Sequence, residues 1–107
     1  MNLTYPTALV LEALARGYHH GFQIMDATGL ASGTVYPLLR RLDREGIVSS
    51  RWEKPALARR EQRPPRRYYQ LTAAGEAMRE AAVERFQAVE IVMRGAARRL
   101  RPARSRA

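Results

Sequence analysis

The chain has 107 residues, 46% of them hydrophobic, and a formal net charge of +9 from 19 basic and 10 acidic side chains. That is enough for one domain with a modest core and too little for two, and the charge surplus favours a polyanionic partner, nucleic acid or an anionic membrane. The absence of cysteine excludes disulfides, thiolate metal sites and cysteine nucleophiles; no apolar run approaches the ~20 residues of a membrane span or the apolar core of a signal peptide, so a cytoplasmic protein is expected.

Thr4 and Pro6 mark the start of a first helix, because proline is tolerated where its missing N–H is not needed. Leu9, Val10, Ala13 and Leu14 give it an apolar stripe, and Gly17 ends it. Tyr18-His19-His20-Gly21 reads as a turn. Adjacent histidines point different ways, and metal binding needs more convergent ligands, so no metal is expected. A short second helix runs from Phe22 to Thr28, with Phe22, Ile24 and Met25 as core candidates, and Gly29 breaks it.

The next stretch, Ser32 to Glu45, organises the rest. At 3.6 residues per turn, Val35, Leu38, Leu39 and Leu42 fall on one side and Tyr36, Pro37, Arg40 and Arg44 on the other. Ser32 is placed to cap the helix and Gly46 to end it. Pro37 removes a backbone bond one turn in and predicts a tightened or kinked start. Two helices separated by a short glycine-containing turn form a helix-turn-helix.

Ile47 to Glu53 is rich in strand-forming residues. Residues 54–65 carry three prolines and an excess of charge and read as a mobile basic loop. Arg66 to Leu71 alternates again, with Arg67, Tyr69 and Leu71 on one face. Two strands joined by a basic loop, directly after a helix-turn-helix, predict a winged helix-turn-helix: mainly α with a small β-hairpin wing, over residues 1–71.

Thr72 is the next N-cap candidate. A long helix is predicted over 72–100, because Met78 is followed by Ala82, Phe86, Val89, Met93, Ala96 and Leu100 at coiled-coil spacing. A rod of ~28 residues is ~42 Å long, more than a small domain covers. Its apolar seam therefore predicts a second copy as partner. Residues 101–107 read as a basic disordered tail.

Three runs in this order, Gly33-Thr34-Val35-Tyr36-Pro37, Glu45-Gly46-Ile47-Val48 and Arg67-Tyr68-Tyr69-Gln70-Leu71-Thr72, resemble the PadR family of bacterial transcriptional regulators. The resemblance covers about residues 3–78. It implies a homodimeric winged-helix repressor on near-palindromic operator DNA, dimerised through one C-terminal helix. Two departures stand out: Ala31-Ser32 replaces the family's Ser-Pro, and the segment between Trp52 and Tyr68 is longer than the usual wing.

Ser32, Gly33, Thr34, Tyr36, Pro37, Arg40 and Arg44 are the DNA-contact candidates on the recognition helix. Arg59, Arg60, Arg63 and Arg66 are the candidates on the wing, against the bland reading of a solvated charge run. The resemblance further implies a small aromatic or amphipathic effector near the interface between copies. Trp52, Phe86 and Met93 could line its site, although a lone Trp and a Met at helical spacing ordinarily serve packing. A different class of function is a winged-helix interaction or adaptor module without sequence-specific DNA binding; Tyr36, Arg40 and the basic wing favour the regulator. An enzyme ranks last, since no nucleophile–base pair is present, and no cofactor is expected.

Overall fold

A computed structural model of the chain describes residues 2–100. The order of elements is α1 (Tyr5–Ala15), α2 (Gly21–Thr28), α3 (Ser32–Arg44), β1 (Val48–Trp52), α4 (Pro55–Arg60), β2 (Arg67–Leu71), α5 (Ala73–Arg85) and α6 (Ala88–Arg99). The predicted tail lies outside the described residues.

The core is built on α1. Thr4 caps it, its hydroxyl accepting from the Thr7 N–H at 3.4 Å. From Thr7 to Leu14 every residue is buried, because α2, α3, α5, α6 and β2 all pack on it. A helix apolar nearly all round needs cover on all sides. Its one acid, Glu12, is 1% exposed and sits between two guanidiniums. Arg16 lies 2.9 Å away on the same helix and Arg79 of α5 lies 2.8 Å away. This buried carboxylate ties α5 to α1.

In α3, Val35, Leu38, Leu39 and Leu42 are buried as the periodicity predicts. Gly46 follows with φ +73°, a left-handed conformation that suits glycine. Two expectations need correction here, and one holds. Ala31, not Ser32, is the N-cap, so no side chain caps the helix and Ser32 becomes its first residue. Pro37 goes with a tightened start, as expected: the Thr34 N–H donates to the Ala31 carbonyl at 3.0 Å, and the helix runs unbroken to Arg44. Phe22 is not core but 64% exposed, because α2 turns Ile24 and Ala27 inward instead.

Strands β1 and β2 pair antiparallel, Val48 opposite Leu71 and Trp52 opposite Arg67. The basic loop between them is not without structure. Residues Pro55–Arg60 form α4, started by a proline in its first turn and anchored by the buried Ala58. Thr72 caps α5 as predicted, accepting from the Gly75 N–H at 3.2 Å. Its hydroxyl also donates to the Gly46 and Ile47 carbonyls. A Cβ at Gly75 would collide with the Ile47 carbonyl, so this first turn docks on the residue that opens the wing.

The predicted long helix is two helices. Phe86, at φ −123° and ψ 80°, leaves the helical region, and α6 folds back on α1 and α2. Val89, Met93 and Ala96 are fully buried there, and Ala82 is buried on α5. Met78, Phe86 and Leu100 are half-buried against the same core. The seam is thus occupied within the chain. Burying a Val or Met side chain is worth about 1.5–3 kcal/mol, which outweighs leaving the stripe in water.

Candidate nucleic-acid interface

The outer face of α3 presents Ser32, Gly33, Thr34, Tyr36, Pro37, Arg40, Arg41 and Arg44 to solvent. Arg40 and Arg44 have no side-chain partner among the described residues. The N–H groups of the first turn point out of the helix start, where an anion is favoured. Tyr36 lies across the start of α2: a Cβ at Gly21 would fall on its ring, 2.7 Å from Cζ and 2.9 Å from the hydroxyl. The glycine therefore seats the tyrosine, and the ring stays 39% exposed.

The wing is fixed to this face by a polar network. Ser50 donates to Asp43 of α3 at 2.6 Å, and Arg67 reaches Ser50 at 2.7 Å and Asp43 at 3.3 Å. The Arg67 guanidinium also covers the Trp52 ring at 5.2 Å. On the other side, the turn before α2 is stitched to β2. The Tyr69 N–H donates to the His19 carbonyl at 2.8 Å, and His19 Nδ1 lies 3.0 Å from the Tyr69 carbonyl.

Glu53 holds the wing's own shape. Arg63 donates to both its oxygens, at 2.6 and 2.9 Å, and Tyr68 adds a bond at 3.0 Å. The Arg63 hydrogen bonds pull the Glu53 carboxyl down to about 2, outweighing the opposing effect of burial. His20 caps α2 with Nδ1 facing the Gln23 N–H and packs edge-on against Tyr68, ring centroids 5.7 Å apart. Burial first, then the Arg66 and Arg63 cations, lower its pKa to about 4, so the ring is neutral near pH 7.

The predicted wing cations therefore separate. Arg63 is engaged inside the wing by Glu53 and Glu61. Arg59 and Arg60 are exposed on the last turn of α4. Arg66 lines a cleft of about 990 Å³ between α3, the start of α2 and the wing, together with Tyr36, Arg40 and Arg44. Trp52 lines the same cleft and is 62% exposed, not a core residue as the packing reading had it. The lining includes neither Phe86 nor Met93, so the three effector candidates do not share a site in this conformation. Met93 is packing; Phe86 packs edge-on with Tyr5 at 5.8 Å.

The roles of Asp43, Ser50, Glu53 and His20 are not readable from the sequence, because each of them has a partner on another element or across the wing. Among the described residues no group of histidine, aspartate and glutamate could hold a metal, and no helix is long and apolar enough to cross a membrane.

Residues 10–81 match the model of the transcriptional regulator PadR-like family. Solved structures agree in fold. A PadR-like transcription factor from Bacteroides fragilis is 23% identical at TM-score 0.63, over 83% of this chain and 86% of that one. A PadR family transcription regulator from Clostridium difficile is 23% identical at TM-score 0.64, over 86% and 97%. A PadR family transcriptional regulator from Eggerthella lenta is 26% identical at TM-score 0.58, over 86% and 78%. No curated protein matches the chain.

Proposed function

Because the chain belongs to the PadR-like family of transcriptional regulators, we propose that it represses transcription by seating α3 in the major groove of operator DNA. The observation that carries this is the outer face of α3. It offers Tyr36, Arg40 and Arg44 unburied, with two unpartnered guanidiniums, beside a wing that adds Arg66. Guanidinium groups suit both phosphate and the guanine edge. Ser32, Gly33 and Thr34 would bring the helix start to a phosphate, with Pro37 shaping that turn. Arg59 and Arg60 would meet backbone from α4, and Arg63 would act by shaping the wing.

Acting as a homodimer, two such faces would sit about 34 Å apart on a near-palindromic site. The second copy is assigned to the C-terminal helices. Straightening the joint at Phe86 would turn Val89, Met93 and Ala96 toward a partner, with Met78, Ala82 and Leu100 continuing the line. A small-molecule effector that alters this arrangement would relieve repression.

Selection of genomic fragments by the purified chain, followed by a mobility-shift titration, tests the reading. Wild type should bind one inverted repeat selectively. Tyr36→Ala with Arg40→Ala should abolish that binding while the circular dichroism and melting profile stay native. Arg40→Ala alone should lower the salt slope of log K by about 1, the signature of one lost phosphate. Unaltered affinity of the double variant would refute the assignment of α3.

A further inference from the structure

The cleft beside α3 holds more than a duplex backbone needs. Phosphates call for cations, which Arg40, Arg44 and Arg66 supply without any side-chain partner among the described residues. The same cleft also exposes two large aromatic side chains, Phe22 at 64% and Trp52 at 62%. The Trp52 ring is held in place by the Arg67 guanidinium at 5.2 Å, itself fixed by Asp43 and Ser50. A held aromatic ring beside free guanidiniums matches a ligand with one flat heterocycle and one multiply charged oxyanion. Its volume, about 990 Å³, lies at the upper end of small-molecule sites, ~300–1,000 Å³.

We infer that this cleft binds a free nucleotide. The base stacks against Trp52, with Phe22 as a second apolar wall, and the phosphate is held by Arg40, Arg44 and Arg66. Stacking on aromatic side chains tolerates any base, because every base offers a π-face. Three guanidiniums fit a phosphate better than a single carboxylate. Asp43 is the one acid in the lining, and it is neutralised by Arg67. For its consequence the inference rests on the DNA reading above: a nucleotide on Arg40 and Arg44 occupies the groups proposed to meet operator DNA and displaces it.

Trp52 is the only tryptophan, so its fluorescence reports on the cleft alone. The full chain is titrated with AMP and GMP, with adenosine and inorganic phosphate as half-ligands, and with a short single-stranded oligonucleotide. AMP or GMP is expected to quench Trp52 saturably, at concentrations about tenfold below those at which either half-ligand acts. Arg44→Ala with Arg66→Ala, both surface changes, should raise the midpoint about tenfold without altering the melting curve. Trp52→Ala, read by displacement of a fluorescent nucleotide analogue, should weaken binding similarly. Saturating nucleotide should release bound duplex.

Absence of a saturable response at millimolar nucleotide overturns the inference. So does a response to phosphate equal to that of AMP, which would be simple ion pairing. Binding of the oligonucleotide without binding of free nucleotides also overturns it, because the base would then be recognised only within a strand. Nucleotide failure with intact operator binding leaves the proposed function standing; operator failure with intact nucleotide binding does the reverse.

Discussion

At the residue scale, Gly33 stands in the exposed first turn of α3, one helical turn before Pro37. Its φ is not positive, and a Cβ there would meet nothing within 4 Å. Glycine in a helix costs up to about 1 kcal/mol against alanine. In the proposed complex, close approach of DNA to the first turn of α3 would favour a residue without a side chain there. Gly33→Ala is expected to raise the melting temperature and to weaken operator binding about tenfold; stabilisation with unchanged binding would remove Gly33 from the interface. His20 makes a second residue-level case. Its folded-state pKa lies near 4 against an ordinary 6.5. Since the depressed group must stay neutral to fold, its contribution is complete above pH 6.5 and is lost as pH falls toward 4, where the unfolded chain takes up the proton first. Glu53, lowered to about 2 from 4.5, loses its contribution below that, from pH 4.5 downward. Chemical denaturation across pH 4–7 should therefore show stability rising with pH. His20→Asn, which keeps a capping side chain, should flatten the slope between 4 and 6.5; an unchanged slope would place the titration elsewhere.

At the scale of elements, α3 and the wing act as one body because acids are spent on the arginines that position them. Glu53 holds Arg63, and Asp43 with Ser50 holds Arg67. Arg63→Ala would leave the buried Glu53 carboxylate with only Tyr68 and the Arg66 N–H. The expected outcome is a lower melting temperature and faster amide exchange in residues 53–66, with α1 still protected; uniform exchange across the chain would mean that the wing is not a separate unit. These contacts explain what could be read from the chain and what could not. The inner face of α3 was legible because burial imposes a 3.6-residue period, and the caps at Thr4 and Thr72 because their chemistry is local. Residues 54–65 read as a loop because proline at a helix start and proline in a loop look alike, and Ala58 gives only one buried position to mark α4. The stitch between His19 and Tyr69 joins segments 50 residues apart and leaves no local pattern. The candidate contacts on α3 are readable as an outward face; of their neighbours in the cleft, Phe22 reads as core from its place in α2, and Trp52 reads either as packing or as an effector contact, because a single aromatic residue carries no periodicity of its own.

For the whole molecule the decisive feature is how the seam is covered. An apolar stripe at coiled-coil spacing is satisfied equally by α1 and α2 of the same chain or by another copy, so the spacing alone cannot choose. Here α6 takes the first option, yet nothing in the sequence enforces the bend: residues 77–94 contain neither glycine nor proline. The joint is Phe86 and Gln87, and Gln87 already has φ −59° and ψ −27°. Straightening it would make one rod across α5 and α6 and vacate the groove on α1 and α2. In the proposed dimer each groove would be refilled by the other copy's α6, so the burial of Val89, Met93 and Ala96 would be exchanged rather than lost, and Ile91, 73% exposed in the closed chain, would become available to the pair. Proline at 87 separates the two states. It suits the observed φ at the residue that precedes α6, but in a continuous helix it would remove a backbone bond and strike the carbonyl of Val83. Gln87→Pro should therefore keep a native circular dichroism spectrum, sediment as a monomer at concentrations where the wild type dimerises, and bind a single half-site while losing the gain from a paired one. A variant that dimerises like the wild type would show that the seam is not exchanged, and a wild type that stays monomeric at every concentration would confine α6 to its own chain.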